Sequence, residues 1–403
     1  MMMKIGLIKE GKKPPDNRVA LTPEQCNFIQ NKFPNIRIAV QSAPSRCFSD
    51  EEYRKQGILV VDSLEDCDII IGIKEVPIDM LISNKTFIFF SHTKKLQSHN
   101  KSLINEIVKN KITLIDFECL EHYDRTRILG FGFFAGIVGA HHGIAAFGRK
   151  TGSFDLEDIN PKKNLRALIK NYFGLKLPNI KIAVTGTGRV AHGILEVMNL
   201  LDIKEVDKDD YKNKSFPYPV YVHLKGVDLY QHKISGKYTR EDFHHHPKEY
   251  KSIFSEYLST TDILMNGLYW EEGIPQLFEM RDISKPEFKI KTIADISDDI
   301  NGGIPCNVVE GSIDQPVYGI DLKAATVTAP YLRSSVDVIA VSNLPNVLPL
   351  DASEYFGEQI IKELIPRLLS EHSVEIENAT IIDKGNVTPR FAYMSTSGYI
   401  TSA

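Results

Sequence analysis

Residues 182–193 read IAVTGTGRVAHG, a short apolar strand running into a glycine turn and then into an apolar helical pattern at Ile194, Leu195, Val197, Met198, Leu200 and Leu201. In a doubly wound nucleotide-binding unit the first glycine permits the tight turn and the second lets backbone approach a pyrophosphate. A small third residue then lets the helix pack closely on the strand. Gly186, Gly188 and Ala191 hold those three places, and Thr187, Arg189 and Val190 complete a loop whose N–H groups favour an anion. A glycine turn between strand and helix also serves purely structural ends; the flanking strand and apolar helix decide for a dinucleotide. The motif stands mid-chain, behind several strand signals, so the dinucleotide fold is inserted into another domain.

Apolar, β-branched runs recur at 4–9, 36–40, 58–61, 68–74, 87–91 and 112–117, with helix-like stretches at 23–32 and 96–109 between them. Continuous apolar strands alternating with helices indicate parallel sheets covered on both faces. At the first helix Thr22 suits the cap, Pro23 the first turn, and Gln25 the reciprocal capping position. The segment 131–152 is dense in small residues, as expected of a helix crossing between domains, the plainer alternative being a tightly packed core helix. Later strands are expected at 262–265, 291–296, 325–328 and 336–340, and an amphipathic helix at 355–370 returns to the first domain. The expected architecture is α/β, two Rossmann-like domains with parallel doubly wound sheets. The cofactor domain, 135–340, is inserted into a discontinuous catalytic domain, 1–134 and 341–403.

A chain of 403 residues exceeds one ordinary core. Its net charge of −4 and lack of a long basic block argue against a nucleic-acid partner. The apolar stretches are too short or too glycine-rich to span a bilayer, and the start lacks a cleavable leader pattern, so a cytoplasmic location is expected. Cys26, Cys47, Cys67, Cys119 and Cys306 form no CxxC pair and read as separate reduced thiols. His244, His245 and His246 are consecutive on a charged segment and read as a solvated loop; no metal site is expected.

Reactive side chains gather at the apparent strand ends of the first domain. In open parallel sheets ligands bind beyond the carboxyl ends of strands, which puts Lys74 of IGIKEVP and His92 of FSHTKK on one edge. A lysine of depressed pKa and a histidine suit the two proton transfers of an amine dehydrogenase, one on the substrate nitrogen and one on water. Arg18 and Arg127 are candidates for two-point carboxylate clamps, or else for loop-stabilising ion pairs.

The stretches NRVALTP, IIIGIKEVP, the histidine of FSHTKK, IDFECLEH, RILGFGFFAGIVGA, IAVTGTGRVAHG, IADISDDINGGIP and SNLPNVLPLDASEYFG run in order through nearly the whole chain. In that combination the chain resembles the NAD-dependent, lysine-forming saccharopine dehydrogenases of the alanine dehydrogenase and transhydrogenase superfamily. The resemblance implies a two-domain enzyme with a deep cleft, NAD as cofactor, and saccharopine, lysine and 2-oxoglutarate as small-molecule partners, in a monomer or homo-oligomer. By position, Lys74 looks like the proton-accepting lysine and His92 like the second acid–base group. Arg18 and Arg127 look like carboxylate ligands, and Glu75, Glu118 and Asp16 like the acidic neighbours. Asp299 is placed like the catalytic aspartate of alanine dehydrogenases and is expected beside the cofactor. An alanine dehydrogenase-like enzyme is the alternative, and a non-catalytic nucleotide-binding protein a third. Two departures stand out. Ser342 and Asn343 replace an acidic residue of the family, and the long segment 202–260 leaves the ribose-binding position open, with Glu205 or Asp207 on one reading and Lys225 or Asp228 on the other.

Overall fold

The computed structural model describes residues 2–159, 162 and 164–400. The chain divides into two compact units, one of Met1–Gly130 with Pro349–Ala403, the other of Phe131–Leu348.

In the first unit the apolar runs become β1 (Met3–Leu7), β2 (Ile36–Gln41), β3 (Leu59–Val61), β4 (Ile69–Ile71), β5 (Thr86–Phe89) and β6 (Thr113–Asp116). They pair in parallel in the order β6-β5-β4-β1-β2-β3, so the winding reverses between β1 and β4. A hairpin, Thr380–Asp383 with Asn386–Val387, adds antiparallel to β6, an addition that the parallel pattern did not announce. The helix Pro23–Lys32 starts as its sequence dictates. Thr22 Oγ accepts from Gln25 N–H, and the Gln25 side chain accepts from Thr22 N–H at 2.9 Å. Gln25 also donates 2.8 Å to the carbonyl of Glu354, and a β-carbon on Gly357 would fall 1.9 Å from its amide oxygen. Only glycine lets the returning helix Pro349–Gln359 lie this close. The helix expected at 96–109 begins instead at Lys101, because Leu96 stands at φ +56°, outside helical space. The amphipathic run expected at 355–370 is a helix to Gln359, a π-turn over Ile360–Leu364 and a short helix Ile365–Leu369. Pro366, which has no N–H to give, accounts for the irregular turn.

The second unit holds β7 (Lys181–Thr185), β8 (Lys204–Glu205), β9 (Val220–Leu224), the small hairpin β10 (Tyr230–His232) with β11 (Tyr250–Ser252), β12 (Ile263–Asn266), β13 (Thr292–Asp295), β14 (Val317–Asp321), β15 (Val327–Thr328) and β16 (Ser335–Ile339). The main sheet runs β15-β14-β16-β13-β12-β7-β9-β8, parallel except for the antiparallel edge β14 and β15, and its winding reverses between β7 and β12. Val317–Asp321 is a strand that the sequence reading did not include. The small-residue segment forms one helix, Gly132–Thr151, at the core of this unit. A β-carbon on Gly136 would lie 2.1 Å from the Val190 carbonyl, and one on Gly193 would lie 1.9 Å from that of Phe133. The helix therefore serves close packing against Arg189–Leu200, the plainer of the two readings. His244, His245 and His246 are exposed, the first two on a short helix, Arg240–His245, rather than a loop. No described helix is long and apolar enough to cross a membrane.

Candidate active site

The reversal of winding in the first unit leaves a crest where β1, β4, β5 and β6 end, and ligands of such sheets bind at this place. Three residues beyond β1 lies Glu10. Its two carboxylate oxygens accept from Ile73 N–H at 2.7 Å and Lys74 N–H at 2.9 Å, tying the end of β1 to the segment that follows β4. Burial, then the charge of Asp16, pushes the Glu10 carboxyl up to about 7.

Lys74 is thereby fixed at its backbone while its amine sits among charges. Burial first, then the positive charges of Arg18 and Lys12, brings it down to about 8 from 10.5, against the opposing pull of Asp16 and Glu75. Glu75 faces His92, and the ring Nδ1 and Glu75 Oε1 are 2.7 Å apart. Its other oxygen accepts from Lys12 Nζ at 3.1 Å. Burial would raise the Glu75 carboxyl, yet the His92 hydrogen bond and charge, with Lys12, hold it well below the usual range. His92 stands at φ +49°, a left-handed conformation that turns the chain sharply beyond β5. Its ring stacks on Phe90, centroids 6.3 Å apart, and Phe90 packs in turn against Phe117 and Phe356, so the residues after 349 help build the wall behind the histidine.

Asp16 and Arg18 are both almost fully buried and face each other. Arg18 Nε donates to one Asp16 oxygen at 2.9 Å and Nη2 to the other at 2.5 Å. The two-point clamp foreseen for Arg18 thus has a partner within the protein, the ion-pair alternative of the sequence reading. Arg127 is more open, 41% exposed at its side chain, and donates to Glu118 at 3.2 Å. Asp116, the last residue of β6, accepts from the Ser91 hydroxyl and from Ser91 N–H, and at 2.7 Å from Glu118 N–H. Its burial raises its pKa, and it joins the ends of β5 and β6 beneath the crest. The fold brings Asp16, Arg18, Lys74, Glu75 and His92 into one charged group, with Glu118 and Arg127 as a pair after β6. Glu10, Lys12 and Asp116 were missed. A strand-end rule applied to β1 and β6 would have found the two acids.

In the second unit Gly186 ends β7 at φ +103°, and a β-carbon there would meet the Gly267 carbonyl at 2.5 Å. A β-carbon on Gly188 would meet nothing within 4 Å. Packing therefore does not require glycine at 188; open space lies over the start of the helix Arg189–Leu200, whose cap residue Gly188 supplies no side-chain bond. Thr187 and Gly188 are exposed, Arg189 and Val190 half-buried, and Ala191 buried. This cradle fits a dinucleotide pyrophosphate on the helix N-terminus. Beside it a buried polar row runs across three strand ends. Thr185 Oγ donates to Asn266 at 2.7 Å, Asn266 to Asp295 at 2.8 Å, and Asn307 to the other Asp295 oxygen at 2.9 Å. Asp299 lies in the loop after β13, where its carbonyl accepts from Gly302 N–H at 2.7 Å. β9, not β8, pairs with β7, so the strand next to the glycine-loop strand is the one that ends at Leu224.

Each unit has its own reversal of winding, one beneath a glycine cradle that fits a dinucleotide and the other beneath a lysine, histidine and carboxylate group. Residues 6–138 match the alanine dehydrogenase/PNT N-terminal domain. An L-alanine dehydrogenase structure superposes with TM-score 0.65 at 14% identity, covering 98% of this chain and 99% of the other. The transhydrogenase of Sinorhizobium meliloti superposes with TM-score 0.61 at 15% identity, covering 96% and 100%. The match to that N-terminal domain covers the first third of the chain, and the whole chain shares the fold of both structures. Its curated relatives include the mitochondrial alpha-aminoadipic semialdehyde synthase of Rattus norvegicus, 29% identical over 94% of this chain and 46% of that protein. They also include the saccharopine dehydrogenase [NAD(+), L-lysine-forming] of Candida glabrata, 28% identical over 89% and 90%. The chain thus spans about half the length of the synthases it matches.

Proposed function

We propose that the protein is an oxidoreductase of a CH–NH bond that interconverts saccharopine, water and NAD with L-lysine, 2-oxoglutarate and NADH. The observation that carries this reading is the grouping of Lys74, Glu75 and His92 at the winding reversal of the first unit, with the Lys74 amine brought down to about 8. An amine of that pKa is partly neutral near pH 7 and takes the proton of a secondary ammonium substrate. Gly186, Thr187, Gly188, Arg189 and Val190, with Asp299 in the loop after β13, would hold NAD, which would supply the hydride acceptor. His92, oriented through Nδ1 by Glu75, takes a proton from water as it adds to the imine. The same ring then returns a proton to the departing nitrogen as the carbinolamine collapses. Arg127 receives a substrate carboxylate. Arg18, with two nitrogens on Asp16, acts on Lys74 through its charge, and Glu118 sets the position of Arg127. Cys26, Cys47, Cys67, Cys119 and Cys306 are free thiols, which suits the cytoplasm as the working compartment.

The test is NADH oxidation with 2-oxoglutarate and, in turn, lysine, ornithine, alanine and ammonia, and with pyruvate and ammonia. Oxidation dependent on lysine is expected. Turnover of pyruvate with ammonia alone would move the protein to the alanine dehydrogenase reading, and silence with every pair would leave a nucleotide-binding protein without this catalysis.

A further inference from the structure

β1 and β4 separate just where the acid–base group begins. Their parallel register runs to Leu7↔Ile71, and beyond it Ile8 N–H donates to the Ile71 carbonyl at 3.0 Å. The approach is close at this level, since a β-carbon on Gly72 would lie 2.9 Å from Ile8 Cγ2. The chain then leaves the sheet, so β1 no longer offers main-chain acceptors to the residues that follow β4. A main-chain N–H left unpaired away from water is costly. Glu10 meets that need with a side chain, one oxygen 2.7 Å from Ile73 N and the other 2.9 Å from Lys74 N. On the β5 side the Ile73 carbonyl accepts from Phe90 N–H at 3.0 Å, so residue 73 is held from both flanks.

Two adjacent donors face two acceptors. A carboxylate satisfies both, whereas an amide would turn its own NH2 against one of them. The charges that chiefly act on the Lys74 amine are those of Arg18, Lys12, Asp16 and Glu75, so Glu10 reaches Lys74 through the main chain rather than through its charge. We propose that Glu10 is a positioning residue: by holding the backbone of Ile73 and Lys74 it keeps the Lys74 amine in its buried place beside Arg18 and Lys12, where it can take a proton. This rests on the acid–base role given to Lys74 above and adds to it the group that holds the lysine in place.

The experiment titrates the Lys74 amine directly in the whole chain, through the carbon resonance of its reductively methylated nitrogen, assigned by its loss in Lys74→Arg. The parent resonance is expected to titrate near 8. Burial is the main cause of that low value, so an amine released toward water should titrate higher, by about one unit in Glu10→Gln. The acid limb of kcat/KM should move with it, lowering the value at pH 7 by about tenfold. Glu10→Asp keeps both acceptors on a stem one carbon shorter and should move the resonance upward by less; it decides the matter if thermal unfolding shows that Glu10→Gln does not fold. Loss of a carboxylate acting only by its charge would lower the amine instead, so the sign separates placement from charge. A resonance unmoved or lowered in the folded variants would overturn the proposal while leaving the role of Lys74 intact. An upward shift in a protein that oxidises NADH with none of the amine substrates would overturn the saccharopine reading and leave the hold of Glu10 on Lys74 standing. A parent resonance near 10.5 would overturn the acid–base role of Lys74, and this proposal with it.

Discussion

Lys74→Met should inactivate the protein and stabilise it at the same pH. The amine lies at about 8 rather than 10.5, chiefly because burial disfavours its charged form and Arg18 and Lys12 add to the effect. That difference corresponds to about 3 kcal/mol, and at neutral pH it raises the neutral-amine fraction by roughly 300-fold. Below pH 8 the folded protein carries a charged amine in an unfavourable place, so the cost is fully present there. Between pH 8 and 10.5 the unfolded chain binds more protons at this position than the folded chain, so the parent gains stability as pH rises. Methionine keeps the length of the side chain and never charges. Urea unfolding of parent and variant at several pH values should show the variant more stable by up to about 3 kcal/mol at pH 7, with the difference shrinking toward zero by pH 10.5. In the parent kcat/KM should climb with unit slope to about pH 8 and then level off. The variant should lose on the order of a hundredfold or more of turnover, together with that inflection. A variant less stable than the parent at pH 7, or one that keeps an inflection near pH 8, would refute both the burial argument and the role given to Lys74.

Asp16→Asn should lower stability by on the order of 3 kcal/mol in urea unfolding, because it removes the charge facing a guanidinium that is 3% exposed. Gly188→Asp should abolish NADH binding in a fluorescence titration with thermal unfolding little changed, since the added side chain enters open space but repels a pyrophosphate. Arg127→Lys should raise the apparent binding constant for 2-oxoglutarate far more than that for NADH, a point charge being a poor substitute for a planar two-bond fork.

Most of the frame was legible because strand and turn chemistry act locally. The apolar runs at 36–40 and 87–91, and the Thr22–Gln25 cap, owe little to distant residues. The hairpin Thr380–Asp383 with Asn386–Val387 was not legible, since short strands of mixed polarity announce themselves only through the edge they join. The segment 202–260 hid its strand for a related reason. Two candidate runs followed the glycine helix, and only pairing across the sheet separates Lys204–Glu205 from Val220–Leu224. At the candidate site, Lys74 and His92 could be seen because each follows an apolar strand. Glu10 follows one equally closely, yet its bonds are to the backbone of residues 73 and 74, a link of more than sixty positions that no local pattern carries. Arg18 shows the converse: its residue type suggested a ligand clamp, and its partner, Asp16, lies two residues away.

The chain route through the two units imposes an order on synthesis. The second unit is one continuous stretch, Phe131–Leu348, and all of its strands have been made by residue 339. The first unit begins the chain but lacks its returning helix Pro349–Gln359 and the hairpin on β6 until the ribosome has passed residue 387. During that interval β6 is an unpaired sheet edge, and the aromatic wall behind His92 lacks Phe356. The nascent first unit therefore exposes its apolar face throughout translation of the second, making that interval its period of greatest dependence on chaperones. Joining the segment after 349 directly to the N-terminal one by circular permutation would remove the wait.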